Sequence, residues 1–120
     1  MMNYVKKITE RTFEYAVRIV RLCQVLEKQD RVSRTLANQL LRSGTSVGAN
    51  TEEAQAGQSK ADFIAKMSIA RKEARETLYW LQLLKETELI NKAKLGNIIK
   101  EADELVRIIT SIVKTAQMKK

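Results

Sequence analysis

No proline occurs in these 120 residues, and only four glycines do: Gly44, Gly48, Gly57 and Gly96. Proline removes a backbone donor and glycine gives up the most freedom on ordering, so these two residues are what usually interrupt helices. A chain almost without them is a helical chain. Apolar residues returning at steps of three and four then mark out the elements.

The first helix is expected from Thr9 or a neighbour, over residues 9–27. Phe13, Ala16, Val20 and Cys23 lie on one side, widened by Ile19, Leu22 and Leu26. The opposite face gathers Lys7, Arg11, Glu14, Arg18 and Arg21, either a solvated surface or a binding one. The polar segment KQDRV (28–32) is the first turn. Ser33 is the expected cap of a second helix over 33–56, with a start a few residues earlier as the alternative. Leu36, Leu40, Val47, Thr51 and Ala54 point inward there. Gly44 and Gly48 would each cost about 1 kcal/mol in its interior, which implies close approach of a neighbouring helix, or else a break near Gly44. Gly57 suits a left-handed turn position. Ser59 with Asp62 forms a variant capping box for a third helix, 59–87, with Phe63, Met67, Ala70, Ala74, Thr77, Leu81 and Leu84 inward. Asn91 caps a fourth, 91–117, with the cleanest apolar face: Leu95, Ile98, Ile99, Ala102, Leu105, Val106, Ile109, Ile112, Val113 and Ala116. Four helices with short turns make one all-α domain over 1–120, an antiparallel up-down-up-down four-helix bundle.

Polar residues interrupt the pattern between the second and third helices. Gln39, Arg42, Ser46, Asn50 and Glu53 flank one stripe. Lys66, Glu73 and Trp80 recur at seven-residue spacing on the other helix, with Glu76 beside them. An antiparallel hairpin of these helices sets Arg42 level with Glu73 (or Glu76) and Glu53 level with Lys66. Two ion pairs are expected, and the seam is read as structural, fixing helix register or a subunit contact. Paired carboxylates also occur in acid–base sites. Here each acid has a basic partner within reach, no histidine is present, and no glycine loop joins a strand to a helix. No catalytic residue, metal ligand or cofactor is assigned. The single Cys23 sits in an apolar pattern and reads as a buried small hydrophobe.

Net charge is +8 and the pI about 9.8. The segment from Asn91 onward holds seven basic residues against three acidic ones. This balance favours anionic partners, nucleic acid before membrane. No apolar run approaches the roughly 18 residues of a membrane span, and the N-terminus turns charged too soon for a signal peptide. Cytoplasmic location is the expectation.

The stretch LANQLLRSGTSVGANTEEAQAGQSKADFIAKMSIARKEARETLYWLQLL resembles the four-helix bundle protein family that includes proteins encoded within intervening sequences of bacterial 23S ribosomal RNA genes. The matching residues are Gln39, Arg42, Ser46, Asn50 and Glu53, then Phe63, Lys66, Ala70, Lys72, Glu73, Glu76 and Tyr79-Trp80-Leu81. The resemblance implies an antiparallel bundle assembled as a homopentameric ring. It also implies similarity to the accessory variability protein of diversity-generating retroelements, a basic bundle that binds nucleic acid and a reverse transcriptase. It brings no established catalytic residue.

The expectation is therefore a non-enzymatic, oligomeric protein that binds RNA or DNA through phosphates. The candidate contacts are Lys7, Arg11, Arg18 and Arg21 on the first helix, and Lys100, Arg107 and Lys114 at seven-residue spacing on the fourth, interrupted by Asp103. Tyr4 is the best exposed aromatic, while Phe13, Phe63 and Trp80 read as core, so single-strand recognition by stacking is not expected. The alternative is a structural adaptor recruiting a protein partner without affinity for bare nucleic acid.

Overall fold

A computed structural model describes the backbone of residues 2–119 and the side chains of residues 8–119. Four helices follow in order, α1 (Met2–Glu27), α2 (Arg31–Gln55), α3 (Lys60–Glu86) and α4 (Lys92–Met118). Helices of this length run close to 40 Å, and the molecule measures 49 × 21 × 19 Å. Turns of a few residues cannot cross that length, so successive helices are antiparallel. α1 packs along α2, α2 along α3 and α3 along α4, while α1 meets α4 only lightly. The expected all-α four-helix bundle is what the chain forms.

Caps set most boundaries. The Asp30 carboxylate accepts from the Ser33 backbone N–H at 2.9 Å, so Asp30, not Ser33, caps α2. That N–H also holds the Asp30 carboxyl below its ordinary range. Ser33 is instead buried in the first turn, its hydroxyl donating to Gln29 Oε1. Ser59 and Asn91 cap α3 and α4 as expected, accepting from Asp62 N and Ala93 N. α1 begins at Met2 rather than near Thr9, because nothing before Thr9 breaks a helix. Gly57 is not left-handed: no described glycine has positive φ, and the residue that does is Glu88 (φ 57°), in the α3–α4 turn.

α2 runs unbroken through Gly44 and Gly48, and both glycines lie against α1. A Cβ on Gly44 would fall 2.7 Å from Ile19 Cγ2, and one on Gly48 would fall 3.1 Å from the Thr12 carbonyl oxygen. Close helix contact thus offsets the poor helix propensity of glycine.

The core of α2, α3 and α4 follows the expected stripes at Leu40, Val47, Thr51 and Ala54, at Met67, Ala70, Ala74, Thr77, Leu81 and Leu84, and at Leu95, Ile98, Ala102, Leu105, Ile109 and Val113. Leu36, Phe63, Ile99, Val106, Ile112 and Ala116, also expected inward, are half-buried at its edge. Around α1 the buried face differs. Ile8, Thr12, Tyr15, Ile19, Cys23 and Leu26 are buried, whereas Phe13 is 66% exposed and Val20 39%. Ile19, Cys23 and Leu26 of the expected face are buried, but its edge through Phe13, Ala16 and Val20 lies about 100° from the buried edge through Thr12, Tyr15 and Ile19. Two hydroxyl-bearing residues, Thr12 and Tyr15, occupy core positions and disguise them. Thr12 donates to the Thr9 carbonyl, while the Tyr15 hydroxyl is buried without a partner. Burial, helped by the charge of Glu101, pushes the Tyr15 phenol well above its ordinary value.

Candidate nucleic-acid interface and the polar seam

Antiparallel packing of α2 on α3 brings Arg42 to two carboxylates at once. Its Nη1 donates to Glu73 Oε1 at 3.2 Å, and its Nη2 donates to Glu76 Oε2. Glu76 also accepts from the Trp80 indole N–H at 3.1 Å, one turn along α3. The indole donor first, then Arg42, holds the Glu76 carboxyl below its usual range. A carboxylate held ionised in this way is a poor proton donor at neutral pH. The described residues contain no group of His, Cys, Asp and Glu able to hold a metal.

The rest of the seam divides. Asn50 Nδ2 donates to both the carbonyl and the hydroxyl of Ser46, each at 2.9 Å, within α2. Gln39 is exposed. No ion pair joins Glu53 to Lys66 among the described residues; Glu53 is exposed, and water and salt leave little to hold such a pair.

The candidate phosphate contacts also divide. Arg11 is not available: its guanidinium donates to Glu101 Oε1 at 2.6 Å, Glu101 Oε2 at 3.1 Å and Glu104 Oε1 at 3.0 Å, clamping α1 to α4. Arg107 is tied to Asp103 at 3.1 Å, one turn back. Arg18, Arg21, Lys100 and Lys114 are exposed and form no ion pair among the described residues. Arg18 and Arg21 share their face with Glu14, whereas Lys100 and Lys114 stand on the outer side of α4. Lys7 and Tyr4 lie outside the residues whose side chains are described.

Three features escaped the sequence reading. The Arg11 clamp was signalled by Glu101 and Glu104, which stand at three-residue spacing on the flank of α4 that meets α1. Tyr79 is 58% exposed; its place between the core positions Thr77 and Leu81 marks it as outward. Phe13 borders a shallow groove lined by Ala16, Thr45, Gly48, Ala49 and Glu52, where small side chains of α2 leave the surface low. With Val20 and the 40%-exposed Leu41 it forms an apolar strip on the α1–α2 face.

No helix among the described residues is long and apolar enough to cross a membrane. Compared with known proteins, the chain matches the 23S rRNA-intervening sequence protein family over residues 6–111. Among solved structures it is similar to a protein of unknown function from the S23 ribosomal protein family of Bacteroides thetaiotaomicron VPI-5482. The two are 42% identical with a TM-score of 0.86, over 92% of this chain and 98% of the other. Neither description carries an enzyme name. Nothing among curated proteins matches.

Proposed function

The chain belongs to the 23S rRNA-intervening sequence protein family, and from that premise we propose that it is a non-enzymatic, oligomeric protein that binds nucleic acid through phosphate contacts. The observation that carries this is the exposed row on α4: Lys100 and Lys114, unpaired among the described residues, with Arg107 between them, in a chain of net charge +8. Carboxylates that would repel a phosphate are occupied elsewhere, Glu73 and Glu76 by Arg42, and Glu101 and Glu104 by Arg11. Assembly multiplies the field. A ring of five copies would carry about +40, drawing polyanions with little regard to sequence. The apolar strip of Phe13, Val20 and Leu41 supports self-association, since such a strip lowers free energy when covered. No cofactor is invoked, and the cytoplasm is the proposed location.

That same strip favours a second reading, an adaptor whose α1–α2 face recruits another protein. Co-purification with and without nuclease, followed by a mobility-shift assay on RNA and duplex DNA, separates the two. Phosphate binding predicts that nuclease releases the co-purifying material and that the cleaned protein shifts added RNA or DNA. An adaptor retains a protein partner after nuclease and shifts neither nucleic acid.

A further inference from the structure

Charge is unevenly shared among the four side faces of the bundle. The α1–α2 face is apolar around Phe13, Val20 and Leu41. On the α2–α3 face Arg42 is held by two carboxylates. On the α1–α4 face Arg11 is held by two more, and the exposed Arg18 and Arg21 of α1 share their side with Glu14. The α3–α4 face is different. Because α3 ends at Glu86 and α4 begins at Lys92, an antiparallel pair sets Tyr79 level with Ile99 and Lys100, Arg75 with Asp103, and Arg71 with Arg107. Helical spacing turns Arg71 and Arg75 to the flank toward α4 and Tyr79 to the outer side of the helix, away from the core positions Ala70, Ala74, Thr77 and Leu81. Lys72 stands beside them. Arg71, Lys72, Arg75, Lys100 and Lys114 form no ion pair among the described residues, and Asp103 is engaged by Arg107.

Tyr79 sits within this cationic field, and it is braced. Its ring meets that of Trp80 edge-on, with centroids 5.1 Å apart and planes at 73°. Trp80 is in turn fixed by its N–H bond to Glu76, which Arg42 holds from α2. The polar seam thereby steadies an exposed aromatic on the next face. A duplex held by its phosphates has no use for such a ring. A single strand does, because every base offers a π face and stacking tolerates any sequence.

We propose that the outer face of the α3–α4 pair is a single-strand nucleic-acid surface. Arg71, Lys72, Arg75, Lys100 and Lys114 take the phosphates there, and a base stacks on Tyr79. The inference rests on the phosphate-binding function proposed above and adds to it a place, a partner class and a residue outside the charged row of α4. Two spacings support a strand running along the helices rather than across them. Lys100 and Lys114 are about 21 Å apart along α4, and Lys72, Arg75 and Tyr79 follow one another within about 11 Å on α3.

The test is fluorescence anisotropy of a labelled oligouridine and of a labelled duplex of equal length, across a range of salt. Tyr79→Ala is expected to weaken the single strand about tenfold or more while leaving the duplex and the salt slope unchanged; Tyr79→Phe is expected to bind like the parent chain. Arg71→Glu with Arg75→Glu is expected to weaken binding more strongly and to flatten the salt slope, whereas Arg18→Glu with Arg21→Glu on α1 should change it far less. Circular dichroism melts confirm that each variant is folded, and Tyr79, being exposed, is the safest of these positions to alter. Binding by the parent chain that survives both α3 variants overturns the surface and leaves the phosphate-binding function standing. Equal loss on single strand and duplex in Tyr79→Ala overturns the stacking role. A parent chain that binds neither probe overturns both proposals.

Discussion

Three of the four glycines lie within helices, and they allow the packing argument to be tested with one substitution made in opposite environments. Replacing glycine by alanine in a helix interior should by propensity alone stabilise by about 1 kcal/mol. At Gly96 a new Cβ meets nothing within 4 Å, so Gly96→Ala is expected to show that gain. At Gly44 the same Cβ would lie 2.7 Å from Ile19 Cγ2 and 2.9 Å from Cγ1. Ile19 is fully buried and branched at Cβ, so neither atom can swing away without a rotamer change. Overpacking of this kind costs about 1–3 kcal/mol. Set against the propensity gain, the net loss for Gly44→Ala should be about 1 kcal/mol, within a range from near zero to about 2 kcal/mol. Urea unfolding at one fixed protein concentration measures it, with a lower midpoint and an unchanged m-value expected. Ile19→Ala alone should cost about 2–5 kcal/mol, and the double variant should cost less than the two singles together, by about 1 kcal/mol or more. At Gly48 the obstacle is the Thr12 backbone, so Gly48→Ala should also destabilise and should not be rescued by trimming a side chain. A Gly44→Ala variant as stabilised as Gly96→Ala, with no coupling to Ile19, would refute the close approach of α1 and α2.

Arg11→Met should destabilise by about 1 kcal/mol, a modest figure because Arg11 is 30% and Glu104 45% exposed; the difference from the parent should narrow as salt rises, read by urea midpoints. Trp80→Phe removes the donor that most lowers the Glu76 carboxyl. A carboxyl lowered on folding contributes stability above its unfolded pKa, and that stability fades as pH falls through the folded value. NMR titration should therefore find Glu76 closer to its ordinary range in Trp80→Phe, with a smaller loss of stability on acidification; an unshifted Glu76 would contradict the role of the indole. Burial pushes the Cys23 thiol from 9.0 up to about 11, which lowers the thiolate fraction at pH 8 about a hundredfold. Thiol-reagent labelling of the native protein should be slow by at least that factor and become fast in urea, and rapid native labelling would count against the buried placement.

The fold was legible because proline is absent and the apolar steps of α3 and α4 are nearly uninterrupted. α1 shows where that legibility fails. A 3.6-residue period admits two stripes in this sequence, and the one through Phe13, Ala16 and Val20 is the more apolar. The chain buries Ile19, Cys23 and Leu26 of the expected face but completes it with Thr12 and Tyr15 in place of Phe13 and Val20, and Thr12 and Ile19 face the two glycines of α2. Partner geometry decided the rotation, and no single-helix pattern contains it. The pairing of Arg42 with Glu73 followed from the short turn between two long helices, whereas Glu53 and Lys66, chosen by the same rule, do not pair. Matching height is necessary, but at an exposed site it does not hold two long side chains together. Arg11 is ion-paired where an open phosphate contact was expected, for a related reason. Its carboxylates come from α4, about 90 residues away, and local spacing within α1 carries no sign of them.

A salt titration of nuclease-treated protein binding to labelled single-stranded RNA, with mass measured by light scattering on the same sample, is the most direct measurement. Phosphate binding by a ring predicts a mass near that of five subunits and an affinity that falls steeply and linearly on logarithmic axes as salt rises. A monomer that binds nothing, or an affinity indifferent to salt, would contradict it.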